Sequence, residues 1–259
     1  MEYKVNKKVS ILSILVIAIL STSFSAAVSA ATDDSLTVYS TRKEHLIKPL
    51  FDAFTKKTGI EVKYLTGNGG ALIERIKLEG KRTKADMFMT VDAGNLWYAA
   101  SQNLFQPVES EVLINNIPVH LRDPEGLWTG LSVRARTIIY STDRVNPEEL
   151  STYQDLASNK WKGRLCLRTS KKVYTKSLVA SLIHHDGQKA TTEVVKGWVD
   201  NLAATPNAED THVMSAILAG QCDVGIVNTY YFGRLQAEKP NVALKLFWAN
   251  QGSTGTHVN

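Results

Sequence analysis

The sequence predicts an α/β protein of two lobes with a cleft between them. Three observations carry that expectation. Short β-rich runs alternate with amphipathic helical patterns in both halves of the chain. Proline and acidic residues break the alternation in the middle, at "NNIPVHLRDPEGLW". A chain of 259 residues with 44% hydrophobic content can bury one large or two modest cores. The expected boundaries are a leader at 1–30, a first α/β lobe at 31–125, a second at 126–238, and a return to the first lobe at 239–259.

The leader comes first. "MEYKVNKKVS" is basic and "ILSILVIAILSTSFSAAVSA" is an apolar run ending in small residues. That order is the pattern of a secretory signal peptide, with a cut expected after Ala30. A membrane anchor is the other reading of such a run. Three lysines and one glutamate leave with the leader, so a formal charge of +5 falls to +3. So small an excess gives no argument for a nucleic-acid partner.

Along the mature chain, "LTVYS" reads as a strand, and Ile47, Leu50, Phe51 and Phe54 then form one helical stripe that Gly59 closes. "IEVKYLT" is the next strand. "GNGG" turns the chain into a helix carrying Leu72, Ile73 and Ile76, a turn that suits either simple capping or an anion. "ADMFMTV" and "AGNLWYAASQ" complete a βαβαβα run, which implies a mostly parallel sheet. "GLSVRARTIIYST" reads as a long strand or a pair of strands at the crossing between lobes. Beyond it, "STYQDLASNKWKG" is expected as helix, "RLCLRTS" as strand, and "VYTKSLVASLIHH", "TTEVVKGWVDNLA" and "HVMSAILAGQ" as helices. "CDVGIVNT", "YYFGRLQAEK" and "VALKLFW" follow as strand, helix and strand. The histidine pair at 184 and 185 reads as an exposed helix end, because it lacks the i, i+4 spacing of a ligand pair.

Cys166 and Cys222 are the only cysteines. An even pair in an exported chain reads as one disulfide; two buried thiols are the other reading. Neither has a second Cys or a His at metal-ligand spacing.

Open α/β sheets bind ligands beyond the carboxyl ends of their strands. Residues 40–44, 67–70, 92, 169–174 and 228–231 are therefore the ones to inspect. "NTYYFGRL" poses the sharpest question, since Tyr230 and Tyr231 would face opposite ways within a strand, but a strand-to-helix turn could aim both at the cleft. Core packing is the competing reading. Tyr174 holds an equivalent place after "RLCLRTS". If Cys166 and Cys222 are bonded, the strands carrying these loops are neighbours. Arg42, Arg134, Arg136, Lys171 and Lys172 lie at or near strand ends, a setting expected to favour phenolate. A phenol is ordinarily neutral, but a bound trivalent cation can take its proton's place. The resulting hard, anionic oxygen suits ferric iron.

These residues, together with "LTVYSTRKEHLIKPLFDAF", "ADMFMTVDAGNLWYA" and "GQCDVGIVNTYYFGRL", resemble the periplasmic ferric-iron-binding proteins, the solute receptors of bacterial iron(III) ABC transporters. The resemblance implies a two-lobed type II periplasmic binding protein fold. It implies Tyr230 and Tyr231 as phenolate ligands to Fe(III), with Tyr174 matching a third tyrosine of one subgroup. It also implies carbonate or another synergistic anion, held by arginines such as Arg42 and Arg136, whose planar fork matches a planar oxyanion. The implied partner is an inner-membrane ABC permease with its ATPase, and the implied form is a periplasmic monomer. The chain departs from the pattern after the first strand, where Lys43 and Glu44 stand in place of a His or Tyr, leaving Glu44 and His45 as candidate ligands from the first lobe. His45 could equally coat the first helix. The family runs on past "QGSTGTHVN", so the C-terminal part is expected to be missing. A receptor of the same fold for a polyamine, thiamine or an oxyanion is the alternative, although the clustered cations oppose a polyamine. An exported hydrolase lacks support, because neither "GxSxG" nor "HExxH" occurs.

Overall fold

A computed structural model describes residues 35–258; the expected leader and its cut after Ala30 lie outside them. β1 (Ser35–Ser40), β2 (Glu61–Thr66) and β3 (Met87–Met89) form a parallel sheet in the order β2-β1-β3. The intervening helices are α1 (Glu44–Thr58), α2 (Gly69–Glu79) and α3 (Ala93–Ser101). Along β1, Val38 packs with Ile47 and Phe51, while its neighbour Tyr39 packs with Leu72 and Ile76. The period-two alternation of a strand thus sends one residue to each covered face. Gly59 closes α1 at φ 79°, a left-handed position where glycine carries no Cβ penalty. "GNGG" is a capping turn, with Asn68 accepting from the Gly70 N–H at 3.1 Å.

The second sheet has the order β5-β6-β4-β7, built from β4 (Arg136–Ser141), β5 (Leu165–Cys166), β6 (Val224–Asn228) and β7 (Leu244–Phe247). β5 and β6 are parallel, whereas β4 runs antiparallel to both β6 and β7. The second sheet is thus mixed. One expectation is corrected: Leu244–Phe247, expected to return to the first lobe, forms an edge of the second sheet through its ladder with β4. All six residues of β4 are buried, with Ile138 in one apolar cluster and Ile139 in the other. Only its central residues, Ile138, Ile139 and Tyr140, are apolar; the buried Arg136 and Thr137 donate hydrogen bonds to Asp210 and to the Phe247 carbonyl, respectively.

α4 (Glu111–Asn116), α5 (Val173–Asp186), α6 (Gln188–Asp200), α7 (Asp210–Leu218) and α8 (Thr229–Glu238) complete the longer elements. Three elements differ from the sequence reading. The long strand over 130–142 is confined to β4, because its partner β6 turns into α8 at Asn228, opposite Arg136; Ala135 keeps a lone bridge to Val258. "STYQDLASNKWKG" forms two 3-10 turns, Gln154–Ala157 and Asn159–Trp161, separated by extended Ser158. Its buried residues Tyr153 and Leu156 are spaced by three, which suits that tighter helix. "RLCLRTS" pairs as a ladder only at Leu165 and Cys166, then continues through an isolated bridge from Arg168 to Asn207.

Cys166 and Cys222 form a disulfide with Cα atoms 5.9 Å apart. It ties β5 to the turn entering β6. Gly225 packs directly beneath it: a Cβ there would lie 2.8 Å from the Cys166 carbonyl oxygen and 2.6 Å from Val213 Cγ1. No side chain larger than hydrogen lets β5, β6 and α7 approach so closely.

Candidate metal centre at the edge of the second sheet

β5 and β6 run in parallel and end on the same edge, and each leads toward a helix carrying tyrosine in its first turn. α8 starts directly at Thr229, so Tyr230 and Tyr231 are successive residues of a helical turn, about 100° apart rather than opposed. Their ring centroids lie 4.3 Å apart at 30°. The next residue, Phe232, goes into the core. Tyr231 also packs against that core cluster, so packing and cleft exposure are combined in one side chain. Tyr174 is buried at the start of α5. Tyr230 interacts electrostatically with both Tyr231 and Tyr174, which makes the three phenols one cluster. The first lobe approaches here too, since a Cβ at Gly94 would lie 3.7 Å from Val173 Cγ2.

The electrostatics correct the expectation of a site poised for phenolate. Burial pushes the Tyr230 phenol far above its ordinary value, and the neighbouring Tyr231 phenol adds to the rise. Burial also raises Tyr174; the neighbouring Tyr230 phenol and the charges of Arg134 and Arg168 pull the other way and do not overcome it. Tyr174 and Tyr230 are therefore protonated in the metal-free protein at neutral pH.

The cations differ in what they do. Arg136 is almost completely buried, with Nη1 3.1 Å from Asp210 Oδ2 and Nη2 donating to the Ile226 carbonyl at 3.2 Å. These donors serve the fold where an anion fork was expected. Arg42 follows β1, its N–H held by Ser40 Oγ at 3.1 Å. Glu44 accepts from the Tyr64 hydroxyl at 2.8 Å, and His45 is exposed on α1. Among the described residues, no hydrogen bond or ion pair joins Arg42, Glu44 or His45 to the tyrosines.

Three residues missed in the sequence reading belong to the site. Arg168 lies over the Tyr174 ring at 5.2 Å and interacts electrostatically with Tyr231, while its Nε and Nη1 make no hydrogen bond. Its place two residues beyond Cys166 on an alternating run was the available signal. Arg234 lies 5.5 Å from the Tyr230 centroid and 5.0 Å from that of Tyr231, as i+4 and i+3 spacing on a helix dictates. Asp210, fully buried, faces both Arg136 and Arg168. Among the described residues, no group of three or more histidines, cysteines and carboxylates could hold a metal ion. The phenols are the concentrated oxygen donors.

Behind the site, residues 250–258 return to the start of β4. Arg136 N–H donates to the His257 carbonyl, His257 N–H donates to the Tyr153 hydroxyl, and that hydroxyl donates to the Arg136 carbonyl. The His257 ring meets Ser177 Oγ at 3.1 Å. Burial, helped by the Arg136 charge, lowers the His257 pKa to about 4. A base depressed in the fold is protonated first in the unfolded chain. Its neutral form is therefore no burden above about pH 6.5, and stability falls between there and pH 4. The expected loss is about 3 kcal/mol. Urea titrations of wild type and His257→Gln across that range should show the slope in wild type alone; equal slopes would remove His257 as its source.

The sequence profile of the bacterial extracellular solute-binding proteins matches residues 82–255. The chain belongs to this family. It is 44% identical over 232 residues to iron uptake protein A1 of Synechocystis, covering 86% of the present chain and 64% of that protein. The chain thus spans somewhat less than two thirds of that relative's length. A Trichodesmium family member solved with iron and citrate ligands is 46% identical with a TM-score of 0.80, covering 87% of this chain and 73% of that one. The ferric binding protein of Campylobacter jejuni matches at 35% identity and a TM-score of 0.80, covering 86% and 73%. The fold is the two-lobed type II periplasmic binding protein fold, and the family is one of solute receptors.

Proposed function

We propose that this solute-binding protein captures ferric iron in the cleft through the phenolate oxygens of Tyr174, Tyr230 and Tyr231 and delivers it to an inner-membrane ABC permease powered by its ATPase. The observation that carries the reading is the convergence of three phenols from two helix starts on one sheet edge, with Arg168 among them. Hard anionic oxygens select a hard trivalent cation. The helix N-termini that bear the tyrosines also favour negative charge at that edge. The names of the Synechocystis, Trichodesmium and Campylobacter relatives point the same way.

Iron is cargo in this reading, and the protein's task is capture without chemical conversion. Iron binding displaces protons from the phenols, and the lobes close over it by hinge motion. Carbonate or another small oxyanion completes the metal's shell. Its best-placed donors are Arg168 Nε and Arg134 Nη1, which are buried and lack hydrogen-bond partners. The protein works in the periplasm as a monomer after its leader is removed. Titration of metal-free protein with ferric nitrilotriacetate tests the proposal. A visible tyrosinate-to-iron absorption should rise to one iron per chain, and a colourless, unchanged protein would rule the reading out.

A further inference from the structure

We infer that Asp210 is a positioning residue for the tyrosine centre, setting the place of Arg168 and the start of α8 together; this rests on the ferric-iron reading above. Asp210 is the first residue of α7 and is fully buried. Its carboxylate lies 3.1 Å from Arg136 Nη1 and 3.5 Å from Arg168 Nη1, and it accepts the Asn228 N–H at 3.0 Å. Those contacts reach both sides of the centre. Asn228 is the residue from which Thr229, Tyr230 and Tyr231 continue into α8. Arg168 covers the Tyr174 ring at 5.2 Å, and its charge is felt by Tyr231 as well.

The charge count gives the contact its purpose. Two guanidiniums meet one carboxylate, so one positive charge remains buried beneath the phenols. A buried ion left without its partner is strongly penalised. Asp210 therefore keeps Arg168 in place against the rings, and the uncompensated charge faces the oxygens that become anionic when metal enters. Asparagine at 210 would preserve the shape and could still accept the Asn228 N–H. It would also leave two guanidiniums facing each other, and Arg168 would lose its reason to stay.

The test uses the full chain and ferric nitrilotriacetate, with Asp210→Asn, Arg168→Gln and the double variant. Each single change should weaken ferric affinity by about 10- to 100-fold, as loss of an outer-shell partner does, and should move the visible absorption maximum, which a purely structural role would leave alone. Because both residues act through one contact, the double variant should lose little more than either single one. If Asp210→Asn does not fold, Asp210→Glu, which keeps the charge but displaces it by one methylene, takes its place, with the same expected loss and shift. Wild-type affinity and an unmoved maximum in the folded variants, or losses that simply multiply in the double variant, would overturn the positioning role while leaving the iron reading intact. A wild-type protein that develops no absorption with iron removes both.

Discussion

Tyr230→Phe and Tyr231→Phe are each expected to leave the protein folded while ferric affinity falls by at least about 100-fold, beyond the usual cost of an outer-shell change, and the visible absorption is lost or strongly reduced. Phenylalanine keeps the ring, so the 4.3 Å contact between the pair and the packing of Tyr231 on the core survive. The fold then loses a hydrogen bond, about 1 kcal/mol. Thermal melts of the metal-free variants and ferric titrations separate the two effects. Acid should act in the same direction as the substitutions. Burial holds Tyr174 and Tyr230 above the ordinary phenol range, so both enter the complex by giving up a proton. Apparent affinity should weaken by about tenfold per unit fall in pH for each proton released. If both single variants retain absorption and affinity, the metal is held elsewhere.

The second large effect concerns the disulfide. Its sulfurs join residues 56 apart in sequence, both buried in the cluster that also holds Val213, Ile217 and Phe232. Replacing both cysteines by alanine should remove about 4 kcal/mol on the chain-entropy account, lowering the melting temperature by about 10 °C. Iron release should quicken as well, because the bond fixes β5 against the turn entering β6 and so holds Arg168 and Tyr174 beside the tyrosine pair. Calorimetry of the double alanine variant checks the first effect, and stopped-flow release to a chelator checks the second. A melting temperature within about 2 °C of wild type would show that close packing around Gly225 holds this region without the bond.

Much of this protein was legible from local chemistry. The apolar stripe of α1, the Gly59 stop and the capping turn at Asn68 each follow from a short-range rule, and each formed where the pattern placed it. The tyrosine pair stood out for the same reason, as two phenols at a strand-to-helix turn. Other features had no local signature. Leu244–Phe247 reads as a strand in any lobe, and only its ladder with β4 assigned it to the second. Arg136 reads as a cleft cation, yet Asp210, 74 residues further along, accepts a hydrogen bond from its Nη1.

The order of strands β5-β6-β4-β7 decided which charges met. Periodicity determined which residues faced inward, because it depends on a few neighbours along the chain. Ion-pair partners and phenol protonation depend on burial and on contacts between segments far apart in sequence. That is why the sequence by itself named Tyr174, Tyr230 and Tyr231, while the tertiary structure alone brought Arg168 onto the Tyr174 ring and put Asp210 beneath it. It also kept Tyr174 and Tyr230 protonated, since the burial that gathers the phenols outweighs the positive charge around them.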